Sequence, residues 1–153
     1  MAYYIASDHA GFELKNRIRM SLAKKFEFED LGVYVAERVD YPKIAITLAK
    51  RVASEKDAMG VLVCGTGLGM SMVANKVPGI RAALIYDGFV AKMARRHNNA
   101  NIACLGGRNT DERLALQLVE LFLKTGFDGG KKEGERHLKR VNMIGEIEKG
   151  HFK

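Results

Sequence analysis

The sequence holds only two cysteines, Cys64 and Cys104, in 153 residues. That is too few for a disulfide framework and too sparse for a zinc site. No apolar run approaches the roughly 18 residues that a membrane span needs. Met1 to Ser7 carry no basic stretch ahead of their short apolar segment, so no secretory signal is expected. The chain also lacks internal repeats, low-complexity tracts, RRM aromatics, zinc-finger spacing and a long basic tail. These absences argue against a secreted disulfide scaffold, a membrane protein and a nucleic-acid binder, and a reducing, cytoplasmic address is expected.

What is present is the balance of a soluble globular domain, with 47% hydrophobic and 28% charged residues. A chain of this length buries roughly two-thirds of its unfolded surface without a metal or disulfide staple. The net charge of +7, from 25 Lys and Arg against 18 Asp and Glu, favours an anionic partner. The basic residues are dispersed. Lys15, Arg17, Arg19, Lys24 and Lys25 read as the solvated face of a first helix, and Arg95-Arg96 and Lys131-Lys132 form doublets.

Short apolar runs alternate with helical patterns. Strands are expected over Tyr3–Ser7, Phe26–Asp30, Met59–Cys64, Arg81–Ile85 and Ile102–Leu105. Met59–Cys64 is apolar on both faces, as a central parallel strand requires. Helices are expected over Phe12–Lys25, from Pro42 to about Glu55, from about Met70, over Asp87–His97 and over Asp111–Lys124. Leu31–Tyr41 reads as a loop. Gly126–Gly134, with four glycines, breaks the pattern before a last helix over Glu135–Lys149. Alternating strands and helices imply right-handed βαβ units and a parallel sheet covered on both faces. Ligands of such sheets bind beyond the carboxyl ends of the strands.

The residues at those ends carry the chemistry. In Cys64-Gly65-Thr66-Gly67-Leu68-Gly69-Met70-Ser71, alternate glycines let the backbone approach a ligand closely, and several N–H groups can converge on an anion. The spacing is neither a dinucleotide fingerprint nor a Walker A loop. Cys64, at the head of those amides, is either a small buried hydrophobe or a base and nucleophile. Cys104 reads as core. Asp8-His9 follows the first strand; Asp8 either caps the next helix or binds sugar hydroxyls. His97 closes a helix, where the dipole favours it, and is either structural there or a candidate acid or base. Arg136 and Arg140, four apart, share a helix face and suit a phosphate dianion, as does Arg108 after Gly106-Gly107. His137 and His151 have no spacing that suggests a metal.

Ser7-Asp8-His9-Ala10-Gly11-Phe12-Glu13-Leu14-Lys15, Asp40-Tyr41-Pro42, the Cys64–Ser71 block, Asn75-Lys76, Gly79-Ile80-Arg81-Ala82, Arg96-His97-Asn98-Asn99-Ala100-Asn101, Gly107-Arg108 and Phe127-Asp128-Gly129-Gly130 together resemble the type B ribose-5-phosphate isomerases. The resemblance runs in order along almost the whole chain. It implies a Rossmann-like αβα sandwich with a five-stranded parallel sheet and an extra C-terminal helix. It also implies a single domain over 1–153, with about 126–153 reaching over a neighbouring subunit.

The resemblance implies an aldose–ketose isomerase of the pentose phosphate pathway, interconverting ribose 5-phosphate and ribulose 5-phosphate through a cis-enediolate without metal or cofactor. It implies a homodimer or dimer of dimers with shared sites, and neither nucleic acid nor membrane as partner. By the same resemblance, Cys64 is the base, Thr66 assists at the sugar oxygens, and His97 of a partner subunit opens the furanose ring. Asp8 holds hydroxyls; His9, Arg108, Arg136 and Arg140 gather the phosphate. Asn98, Gly65, Gly67, Leu68 and Gly69 line the site, and Tyr41 helps with ring opening. The family also contains galactose-6-phosphate and allose-6-phosphate isomerases, and a non-catalytic sugar-phosphate sensor is the rival outside enzymes. One stretch departs from the pattern: Lys131–Glu135 intervenes between Gly129-Gly130 and Arg136-His137, and Lys131 could substitute in the phosphate contact.

Overall fold

The computed structural model describes residues 1–151. The apolar runs form five parallel strands: β1 (Tyr3–Ser7), β2 (Phe28–Asp30), β3 (Met59–Cys64), β4 (Ala82–Leu84) and β5 (Ile102–Gly106), in the order β2-β1-β3-β5-β4. Between and after them run α1 (Phe12–Leu22), α2 (Tyr41–Ala53), α3 (Leu68–Ala74), α4 (Gly88–Arg96), α5 (Glu112–Lys124) and α6 (Glu135–Glu148). β3 lies at the centre and is buried at every position, which is why it is apolar on both faces.

Period-two alternation divides the sheet between two cores. Ile5, Val61, Val63, Ala103 and Leu105 pack on one side against α1, α4 and α5. Tyr4, Ala6, Leu62, Cys64, Ile102 and Cys104 pack on the other against α2 and α3. Each fully buried Leu or Ile of these cores contributes about 1.5–3 kcal/mol. Burial also pushes the Cys104 thiol well above its ordinary range, so it is an inert packing group.

Several boundaries shift for local reasons. α1 stops at Leu22, not Lys25, because the chain turns there and sends Phe26 back into the core. Phe26 is therefore no strand residue; its ring meets the Tyr3 ring edge-on at 5.1 Å. Tyr41 belongs to α2, one residue ahead of Pro42. α3 starts at Leu68, as soon as left-handed Gly67 (φ 79°) has turned the chain. Asp87 and Asp111 sit one residue outside their helices as N-caps, accepting from Val90 N at 2.7 Å and Arg113 N at 2.9 Å.

Lys15 overturns the reading of α1 as carrying one solvated basic face. It is fully buried, with Nζ 2.8 Å from both carboxylate oxygens of Asp30 and 2.6 Å from the Val33 carbonyl. It falls on the stripe of Leu14, Ile18 and Leu22, so its ammonium reaches inward and fastens the start of the 31–40 segment. At the opposite margin of the sheet β4 pairs only with β5. There the Asn75 side-chain amide donates to the Ala82 carbonyl at 2.9 Å and accepts from Ala82 N–H at 2.8 Å.

The glycine-rich stretch forms two 3₁₀ turns, Asp128–Gly130 and Lys132–Gly134. Asp128 organises them, 2.6 Å from Arg96 and 2.8 Å from Lys131. The Lys131 hydrogen bond, then Arg96, outweigh burial and hold its carboxyl below the usual range. Lys131, which the sequence offers as a substitute phosphate contact, is paired with Asp128 while its side chain stays largely exposed. α6 packs mainly on these turns and buries only His137. Glu148 near its end accepts from Gly79 N–H at 2.9 Å. Leu138, Met143, Ile144 and Ile147 stay exposed, and Ile144 and Ile147 flank an apolar groove of about 580 Å³ shared with Ile80, Phe89, Val90 and Met93. Among the described residues no helix is long and apolar enough to cross a membrane.

Candidate active site

Three loops meet at the carboxyl edge of the sheet, laced by main-chain hydrogen bonds. Asp8 N–H donates to the Val63 carbonyl at 3.2 Å, Gly107 N–H to Cys64 at 2.7 Å and Arg108 N–H to Gly65 at 3.1 Å. Ser71 N–H takes the Gly67 carbonyl at 3.1 Å, and Ser71 Oγ takes that of Leu68 at 2.8 Å. The carbonyl oxygens of the Cys64–Leu68 loop are thus largely occupied within the fold. What the loop presents outward is therefore enriched in amides, as an anion needs.

Cys64 ends β3 with its side chain almost entirely buried, and the Gly67 N–H donates to its sulfur at 3.1 Å. Thr66 beside it is exposed, its Oγ1 accepting from Leu68 N–H at 3.4 Å. The glycines admit close cover. A Cβ on Gly65 would stand 3.4 Å from Arg108 Nη1, and one on Gly69 would stand 2.5 Å from Tyr41 Cζ. Arg108 and Tyr41 therefore lie directly on the loop and wall its two sides. Asp8 Oδ1 accepts from Ala10 N–H at 2.9 Å and Gly11 N–H at 3.0 Å. These bonds hold the turn ahead of α1 and not the helix itself, whose N-cap, Gly11, has no side-chain cap bond, and they aim the carboxylate along the first loop. His9 Nδ1 accepts from Val39 N–H at 3.4 Å, joining the 31–40 segment to the same edge.

The remaining expected residues lie elsewhere in the same chain. α4 runs from the carboxyl edge back to the amino edge, and His97 is its C-cap. Asn101, just beyond, accepts from Gly60 N–H at the start of β3. Cys64 stands at the other end of that six-residue strand, about 16 Å away by strand rise. Arg136 lines a pocket with His97, and Arg140 acts with both on His137, whereas Asn98, next to His97 in the chain, lines the apolar groove with Ile144 and Ile147. One chain thus brings together Asp8, His9, Tyr41, Cys64, Gly65, Thr66, Gly67, Leu68, Gly69 and Arg108, and separately His97, Arg136 and Arg140, with Asn98 at the margin of that second group.

The second cluster contains a residue the sequence reading passed over. The imidazole of His137 stacks on that of His97, centroids 4.0 Å apart and planes 6° from parallel. Its Nε2 accepts from Arg136 Nε at 3.4 Å. Burial first, then the charges of His97, Arg136 and Arg140, lower its pKa against the opposing pull of Asp128. The signal was helical periodicity: His137 shares a face of α6 with half-buried Val141, one turn further on. Among the described residues no group of three or more His, Cys, Asp and Glu could hold a metal ion.

Comparisons with known proteins match this geometry. The structure of Clostridium thermocellum ribose-5-phosphate isomerase B superposes with a TM-score of 0.92 at 46% identity, covering 99% of this chain and 100% of that one. The Mycoplasma genitalium enzyme, crystallised with bound ribulose 5-phosphate, superposes at 0.90 with 40% identity, over 97% and 96% of the two chains. Ribose-5-phosphate isomerase B of Escherichia coli is 39% identical over 142 residues, 92% of each chain. With the family model for Ribose/Galactose Isomerase matching residues 3–144 as well, this chain belongs to the ribose/galactose isomerase family.

Proposed function

We propose that the protein interconverts ribose 5-phosphate and ribulose 5-phosphate, each active site being built from two copies of the chain. The observation that carries this reading is the Cys64 sulfur, held 3.1 Å from Gly67 N–H at the head of an amide-rich loop. Moving a carbonyl from C1 to C2 requires a base at carbon and a stabiliser for the enediolate. Cys64 takes the proton from C2 and returns it to C1. The Gly65–Gly69 main chain meets the enediolate oxygens, at about 3–4 kcal/mol per donor in comparable oxyanion sites. Thr66 passes the proton between O1 and O2, Asp8 and Tyr41 hold the sugar chain, and His9 and Arg108 face it from the adjoining loops.

The aldose reaches the site mostly as a furanose. Opening it takes a proton from O1 and gives one to O4, work for a side chain that can act as both acid and base. His97 supplies that group, with Asn98 beside it, while Arg136 and Arg140 grip the phosphate dianion. Since His97 lies a strand length from the Cys64 of its own chain, it serves the Cys64 of another. The groove between α4 and α6 has the apolar lining such an association needs. The phosphosugar bound by the Mycoplasma genitalium relative supports the substrate class.

The test is complementation. Cys64→Ala and His97→Asn homodimers each lose ribose 5-phosphate turnover. Mixed and re-equilibrated, they regain about a quarter of wild-type activity, because half the dimers are mixed and half of their sites intact. No recovery refutes the shared site. Wild-type protein inert on ribose 5-phosphate but active on allose or galactose 6-phosphate reassigns the substrate. Failure to exchange solvent deuterium into any of these sugars makes the protein a sensor.

A further inference from the structure

His137 has no assigned part in the reaction, yet it touches two residues that do. Its ring lies flat on His97, and its Nε2 takes the Arg136 hydrogen bond. It is also the one residue of α6 that the fold buries. A neutral imidazole can accept at one nitrogen and stack with either face, whereas the imidazolium can only donate. The groups facing it are Arg136 and Arg140 from α6, His97 and Arg96 from α4, and Asp128, Lys131 and Glu133 from the 3₁₀ turns. Cations outnumber the Asp128 and Glu133 carboxylates there, and burial adds to their effect, so the neutral form is favoured.

We infer that His137 is a positioning residue with two separable tasks: its ring plane sets the orientation of His97, and its Nε2 sets that of the Arg136 guanidinium. This rests on the isomerase reading above. In that reaction His97 works at the furanose oxygens and Arg136 at the phosphate, so one side chain fixes the distance between the two ends of the cyclic substrate. A displacement of about 1 Å at such a point can cost about a hundredfold in rate.

The two tasks are separated by two substitutions. His137→Phe keeps a flat ring and loses the acceptor. It leaves kcat on ribose 5-phosphate within about twofold of wild type and raises KM about fivefold or more, because Arg136 is unmoored. His137→Gln keeps an acceptor near the Nε2 position and loses the plane. It leaves KM nearly unchanged and lowers kcat about tenfold or more. Exchange of solvent deuterium into C1 of ribulose 5-phosphate, which cannot form a furanose, stays near the wild-type rate in His137→Gln.

That crossed pattern supports the inference; equal losses in both variants, or none in either, overturn it. Where a variant does not fold, ¹⁵N NMR of the wild-type imidazole decides. An unprotonated Nε2 at pH 7 is expected, and an Nε2–H tautomer refutes the Arg136 task. Wild-type protein that neither turns over nor exchanges these sugars refutes the isomerase reading instead.

Discussion

Two glycines two residues apart should respond in opposite ways to one added methyl group. Gly67 has φ 79°, and a Cβ there would lie 2.5 Å from Leu84 Cδ1 and 2.9 Å from the backbone carbon of Leu105. The left-handed conformation costs alanine about 1–2 kcal/mol. The backbone of buried β5 cannot retreat, which adds about 1–3 kcal/mol of overpacking. Gly67→Ala should therefore lose about 2–5 kcal/mol, a fall in Tm of roughly 5–20 °C for a chain of this size. Gly69 lies inside α3, and its Cβ would first meet the ring of Tyr41, at 2.5 Å and 2.6 Å, a side chain already 39% exposed. The ring can swing away, and alanine favours the helix by about 1 kcal/mol, so stability should hardly change. Activity should fall in Gly69→Ala, because Tyr41 loses its seat on the loop. The assay is thermal unfolding by circular dichroism at one fixed protein concentration, with turnover measured in parallel. A stable Gly67→Ala protein, or a Gly69→Ala protein that melts early, would refute the reasoning.

Cys64→Ala should lower kcat by about 10²–10⁴ while substrate still binds, as read by calorimetry; a small loss in kcat would remove the proposed base. Lys15→Met leaves the Asp30 carboxylate without its buried cation and should cost about 3–5 kcal/mol in urea unfolding. Lys15→Met with Asp30→Asn should recover part of that loss, and a double variant no better than the single one would place the role of Lys15 elsewhere. The pKa of His137 is lower in the folded chain than its ordinary 6.5, so its contribution is present above pH 6.5 and lost as pH falls toward the folded value, where the unfolded chain binds the extra proton. Wild-type Tm should therefore decline on that acid side, and His137→Phe should flatten the decline; an unchanged slope would show that His137 does not titrate differently on folding.

The elements legible in the sequence were those whose cause is local. β3 announces itself by an unbroken apolar run, and α5 by its stripe behind the Asp111 cap. Cys64, Gly65, Gly67 and Gly69 stood out because a tight turn restricts residue type at fixed spacing. What stayed hidden depends on partners far apart in the chain. Lys15 looks like any surface lysine until Asp30 and the Val33 carbonyl arrive beneath it. His137 looks like a spare histidine until α4 brings His97 against its face. Lys131 looks like a lone surface cation until the 3₁₀ turns fold Asp128 back onto it.

The bond pair between Asn75 and Ala82 has a meaning for how the protein resists joining with stray chains. An outermost strand shows unmatched donors and acceptors that invite a stray chain to add on. Here one carboxamide stands where the peptide group of such an intruder would have to sit, and it already occupies both the donor and the acceptor of Ala82. Concentrated protein should accordingly stay in solution rather than seed fibrils at this margin.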